Sequence, residues 1–169
     1  MDALDALMTR RSVRGFTGEP VTEEAVRKIL ASAMQAPSAG NQQPWHFVVL
    51  RRRENLDALA DALPFGKMLK QAPLGFVVCA DTGAELHKGY WVQDCSASAQ
   101  NILLACHALG LGAVWIGVFP LEERVTALRQ LLGIPATATP LCAIAAGHPS
   151  DLPAPVDRFH PTRIHAEHW

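Results

Sequence analysis

The chain has 169 residues, 49% hydrophobic and 18% charged, with a formal net charge of −1. That length and apolar fraction suit one folded domain with its own core and exclude a disordered polymer. The near-zero charge excludes recognition of nucleic acid or anionic lipid by overall charge, so any charge-driven binding is local. Four cysteines, Cys79, Cys95, Cys106 and Cys142, sit in apolar or small-residue runs with no CxxC pair, as reduced, buried thiols of a cytoplasmic protein do. The start, MDALDALMTRRS, has two aspartates before any cation and no apolar h-region, unlike a signal peptide.

In chain order, Leu4, Leu7 and Met8 share one face of a short predicted helix over 2–9. A stronger helix is predicted over 22–35. Thr22 is its N-cap, Glu23 and Glu24 occupy its first turn, Val21 and Val26 form a hydrophobic staple, and Pro37 stops it. Trp45–Leu50 reads as a strand and 56–63 as a short helix ended by Pro64. Leu74–Ala80 is apolar on both faces and therefore a central strand. The Ala-, Ser- and Cys-rich stretch 91–109 predicts a buried spine helix with Gly110 just past its end. A third strand follows over Ala113–Val118, then a helix over 121–132 with Val125, Leu128 and Leu132 inward and Gly133 at its end, then a fourth strand over Leu141–Ala146.

Cys95–Leu121 lacks Asp, Glu, Lys and Arg over a length that could span a bilayer. Gln100, Asn101, His107, Gly110 and Gly112 divide it into a helix and a strand instead, so no membrane span is expected. The sum is an α+β domain over 1–148. Residues 149–169 lose periodicity and hold four prolines, reading as an arm that wraps a second copy in a twofold homodimer.

Three constellations could carry chemistry. In an extended segment Arg10, Ser12 and Arg14 face one way and Arg11 and Val13 the other, so two guanidiniums and a hydroxyl could cradle a phosphate; the alternative is an ordinary basic turn. The loop Ala36–Trp45 is crowded with amides. Its Asn41 and Gln43 could read the donor–acceptor edge of a heterocycle such as a pyrimidine dione, or could satisfy their own backbone as a helix-stop turn. Trp115-Ile116-Gly117 closes a strand where flat ligands can approach backbone, although packing into the core is the commoner fate of such aromatics.

Other chemistry is absent from the sequence. Gly110-Leu111-Gly112 lacks the third glycine of a dinucleotide fingerprint and follows a helix. His160, His165 and His168 match no metal spacing, adjacent Cys106 and His107 cannot face each other, and Arg51–Arg53 reads as a solvated turn.

The segments RRSVRGF (10–16), APSAGNQQPW (36–45), WVQDCSASAQNILLACHALGLGAVWIG (91–117) and AGHP (146–149), with an arginine in the tail, together resemble the nitroreductase family of FMN-dependent oxidoreductases. The resemblance implies a mostly antiparallel sheet of four to five strands flanked by helices, in an intertwined homodimer with FMN at its interface. Arg10 and Ser12, with Arg11 beside them, are then expected at the FMN phosphate and ribityl chain, with Arg158 as a second phosphate ligand. Arg14, Asn41 and Gln43 are expected near the pyrimidine edge, and Pro37 and Ser38 approach from the other subunit. Trp115 and Ile116 lead to Gly117, whose N–H points toward flavin N5. The implied reaction is ping-pong: NADH or NADPH reduces the flavin, then a small acceptor such as a nitroaromatic or quinone is reduced. Arg14 and Gly117 are the implied catalytic residues, the former stabilising negative charge on the N1–C2=O edge. Dehalogenation, enoate reduction, flavin destruction or non-catalytic flavin binding are the other uses open to such a fold. This chain departs from longer members in having glycine at 117 and no inserted helices over the ring.

Overall fold

Local chemistry sets the ends of the helices in the computed structural model, which describes residues 1–154 and 156–169; Pro155, within the predicted arm, lies outside the described residues. Asp2 Oδ1 accepts from the Asp5 N–H at 2.8 Å and caps α1 (Ala3–Thr9). Thr22 Oγ1 accepts from the Ala25 N–H at 3.2 Å and caps α2 (Glu23–Ala33), with the Val21/Val26 staple buried. β1 (Trp45–Leu50), α3 (Arg53–Ala62) and β2 (Leu74–Asp81) follow. The spine α4 (Trp91–Ala108) ends in a Schellman motif: Leu111 N–H donates to Cys106 C=O at 2.8 Å and Gly110 N–H to His107 C=O at 3.0 Å, with Gly110 at φ +77°. β3 (Gly112–Gly117), α5 (Glu122–Leu132) and β4 (Ala138–Gly147) complete the domain.

The four strands form one antiparallel sheet in the order β1-β2-β4-β3. Alternation along β2 sends Phe76 and Val78 to one face, against α2 and α4, and Val77 and Cys79 to the other, against α3 and α5. Each face therefore has its own apolar core, and β2 is buried along all but its last residue, as expected of a central strand. The spine helix packs on α2, on all four strands and on α1.

Two expectations change. β4 begins at Ala138, ahead of the predicted Leu141, because Pro140 is tolerated opposite Cys79, where the register with β2 shifts and a ladder donor is not needed. α3 begins at Arg53, so Arg51–Arg53 is no free turn. Arg53 donates to the Ala72 carbonyl at 3.0 Å and to the Leu69 carbonyl, and pairs with Asp57 at 3.0 Å; Arg51 bridges the Val21 carbonyl and Glu23, each at 3.1 Å. The apolar face of α1 is uncovered within one chain: Leu4, Leu7 and Met8 are exposed and only Ala6 is buried. The described residues of the arm beyond Pro149 are exposed as well, with Leu152, Phe159, Ile164 and Trp169 all in the open. No described helix is long and apolar enough to cross a membrane.

β3 is an edge strand, and the Arg10–Arg14 segment covers that edge. Ser12 bridges Ala113 in parallel, and the Val13 N–H donates to the Ala113 carbonyl at 3.0 Å. Gly112 makes this approach possible, since a Cβ there would lie 2.6 Å from Val13 Cγ1. Gly112→Ala is expected to push Val13 off the edge and destabilise the protein by about 1–3 kcal/mol, measured by urea unfolding.

Candidate active site

Docking on β3 delivers the cations. Arg10 is half-buried beside Arg11 and the arm's Arg158; burial first, then the charges of Arg158 and Arg11, hold its guanidinium below its ordinary pKa. The same cluster reaches His107 on the spine, whose Nε2 lies 2.8 Å from Thr9 Oγ1 and whose imidazole is held down by burial and by Arg10 and Arg11. Among the described residues, Arg10, Arg11, Arg14 and Arg158 form no salt bridge with a carboxylate. Arg11 is already engaged, donating to the carbonyls of Met8, Arg10, Ala154 and Val156 at 2.7–3.4 Å. It latches the arm to the amino-terminal segment, which leaves Arg10, Arg158 and the half-buried Ser12 as the donor set for an anion.

Arg14 is exposed and lines a cleft of about 480 Å³ with Phe65, Lys67, Val114 and Trp115. Lys67 was not singled out in the sequence; it lies in a single turn of 3-10 helix over Lys67–Lys70, with no local pattern to mark it. Trp115 is half-buried, packed toward the spine. The Ile116 side chain is 3% exposed in the opposite core, so only its backbone remains for a ligand. Gly117 is exposed, with no atom within 4 Å of where a Cβ would stand. Its carbonyl accepts from Arg124 Nη1 at 2.9 Å, and the Arg124 guanidinium lies 5.7 Å from the centroid of Phe65, on the wall of the Arg14 cleft.

The amide loop is partly self-satisfied, as one of its two readings expects. Ser38 Oγ accepts from the Gln43 N–H at 3.0 Å, and Gln43 Nε2 donates to Asn41 Oδ1 at 2.8 Å. Gly40, Asn41 and Gln43 are all left-handed, at φ +52°, +57° and +46°. Pro37, Asn41 and Gln43 are exposed, and Ser38 is half-buried. This loop enters β1, at the edge of the sheet opposite β3, so one chain holds the cations, docked outside β3, and the amides at opposite edges of the sheet.

Cysteine chemistry is closed off. Burial pushes the thiols of Cys79, Cys95 and Cys106 up to about 12 and that of Cys142 up as well, so they stay protonated at neutral pH. Among the described residues no group of three or more His, Cys, Asp or Glu could hold a metal ion.

Fold and site thus define an α+β domain with an unpaired cationic edge beside a partly aromatic cleft. The nitroreductase family model matches residues 7–64 and 62–148. A protein of Methanothermobacter thermautotrophicus, provisionally named NADH dehydrogenase/NAD(P)H nitroreductase, is 50% identical over 100% of this chain and 88% of its own length. Among solved structures, a provisionally named NADH oxidase of Clostridium acetobutylicum is 44% identical with a TM-score of 0.95, covering 98% of this chain and 100% of that one. A nitroreductase of Desulfovibrio desulfuricans, provisionally so named and solved in complex with FMN, is 35% identical with a TM-score of 0.85, covering 100% and 99%. The chain belongs to the nitroreductase family.

Burial lowers the His107 pKa most and the charges of Arg10 and Arg11 lower it further, so an anion bound between the guanidiniums should offset their field and raise it. Titration of the His107 ring by NMR, in inorganic phosphate against chloride, is expected to move upward in phosphate.

Proposed function

We propose that this chain is an FMN-dependent oxidoreductase that uses NADH or NADPH to reduce small acceptors such as nitroaromatics or quinones, and that it works in the cytoplasm as a homodimer. The observation that carries this reading is the convergence of Arg10 and Arg158, without a carboxylate partner among the described residues, on the same edge as the Arg14 and Lys67 cleft. FMN combines a phosphate dianion, a polyol and a flat ring with alternating donors and acceptors, and these residues fit each part. Arg10 and Arg158 would hold the phosphate, Ser12 the polyol, and Arg14 with Lys67 the electron-rich edge of the ring. The open space at Gly117 admits a flat ring to the backbone. Bound FMN supplies hydride transfer in two half-reactions, reduction by NAD(P)H and reoxidation by the acceptor, in a ping-pong cycle. Arg14 contributes a fixed positive charge where negative charge gathers, and Gly117 offers a backbone N–H that needs no titrating side chain. No protein nucleophile enters, consistent with four protonated thiols.

The opposite placement of cations and amides supports a site completed by a second copy, with Pro37, Ser38, Asn41 and Gln43 arriving from the partner. The uncovered apolar face of α1 and the exposed arm supply surface for that association.

The purified protein is expected to be yellow, to bleach with NAD(P)H under anaerobic conditions, and to turn over with a nitro or quinone acceptor; colour that persists against both donors would overturn the reading. Arg14→Ala is expected to slow flavin reduction by about 100-fold, read by stopped-flow absorbance, and to weaken FMN retention. Truncation before Asp157, which removes Arg158, should release FMN on gel filtration and shift the dimer toward monomer.

A further inference from the structure

Asp94 lies in the first turn of α4, only 4% exposed, and among the described residues it pairs with no cation. Its oxygens are divided between two donors of the amide loop: Oδ1 accepts from the Ala39 N–H at 3.0 Å and Oδ2 from Gln42 Nε2 at 2.7 Å. The other end of Gln42 is equally committed. Its Oε1 accepts from the Leu86 N–H at 3.1 Å and the His87 N–H at 3.0 Å. One carboxylate and one carboxamide therefore join three segments: the loop before β1, the spine helix and the turn after β2.

The polarity of this network is fixed by its ends. Two backbone N–H groups require the Gln42 oxygen, so the Gln42 nitrogen must face Asp94, and Asp94 must accept at both oxygens. The turn is pressed tightly onto the loop, for a Cβ at Gly40 would lie 2.1 Å from His87 Nε2. Within the loop, Asn41 Oδ1 is taken by Gln43 Nε2. That leaves Asn41 Nδ2 and Gln43 Oε1, a donor beside an acceptor, without hydrogen-bond partners among the described residues.

We propose that Asp94 and Gln42 are positioning residues: their clamp holds the left-handed loop so that Asn41 and Gln43 present one donor–acceptor edge to a heterocyclic ligand. Its use toward FMN rests on the function proposed above; the clamp itself does not.

The test exploits the polarity. Asp94→Asn turns one acceptor into a donor facing the Gln42 nitrogen, and Gln42→Glu sets two carboxylates against each other. Combined, they reverse one hydrogen bond and satisfy all groups again: the new carboxamide accepts from Ala39 N–H and donates to the new carboxylate, which still accepts from Leu86 and His87. Each single variant should speed hydrogen exchange in segments 38–43 and 85–88 and raise the FMN dissociation constant about tenfold, the loss of roughly one buried hydrogen bond. The double variant should return both to within about threefold of wild type. At saturating FMN the flavin absorption band should shift in the single variants and return in the double, a readout that a general loss of stability would not move. Should a single variant fail to fold, recovery of the fold in the double supports the clamp in the same way. Wild-type exchange in the single variants, or a double variant no better than either, overturns it. A wild-type protein that takes up no FMN defeats the functional reading alone, and hydrogen exchange still decides the clamp.

Discussion

The contact of Val13 with Gly112 governs the placement of the site. β3 is a sheet edge, and an uncovered edge invites pairing with other chains. Here the Arg10–Arg14 segment fills that role, and it can come close enough only because position 112 has no side chain. Once Val13 is buried there, alternation places Ser12 and Arg14 on the other side of the segment and sets Arg14 on the cleft beside Trp115. The same docking carries Arg10 toward Arg158, through an arm that Arg11 fastens by carbonyl bonds. Bringing like charges together is unfavourable, and the cores on the two faces of the sheet must offset it. An anionic ligand reverses the sign of that contribution, which is why such a cluster reads as a binding site rather than a stabilising feature.

The order of the strands then bears on how many chains the proposed site would need. With β1 and β3 at opposite edges, no rearrangement of a single sheet brings the amide loop to the cations. In the homodimer proposed above a twofold partner would do so, and the α1 face and the described arm residues, uncovered in one chain, offer apolar surface for that contact. On that proposal, association and ligand binding are two consequences of one geometry.

Much of this was legible wherever a local rule was strong. Thr22, Gly110 and Gly133 marked helix ends because capping and left-handed glycine are properties of a few adjacent residues. The doubly apolar run of β2 announced its central position for the same kind of reason. Local signals failed where a distant partner changed the outcome. Pro140 looks like a strand breaker until Cys79 lies opposite it at a register shift. Arg53 reads as part of a solvated turn; it stays exposed, yet it opens α3 because the carbonyls of Leu69 and Ala72 come within reach. In the site, Arg10 and Ser12 were visible as a pattern, whereas Lys67 joins Arg14 only through folding. Asp94 and Gln42 were visible only as members of motifs, since the hydrogen bond that gives them meaning crosses 52 positions of sequence.

Cations and amides differ in what they can contribute. Guanidiniums supply attraction that falls off slowly and tolerates imprecise placement, so an exposed arm such as the one carrying Arg158 can deliver them. Amides discriminate only through short, directed bonds, and an amide edge that drifts by an ångström loses its selectivity. The fold treats the two accordingly: Arg14 and Arg158 are exposed, while the Asn41–Gln43 loop is anchored to the most buried helix by Asp94. A buried carboxylate is a costly anchor, and an apolar pair of the same shape could serve stability as well. It could not, however, dictate which way a carboxamide points. Fixing that direction requires an acceptor on one side and donors on the other, which is the arrangement around Gln42.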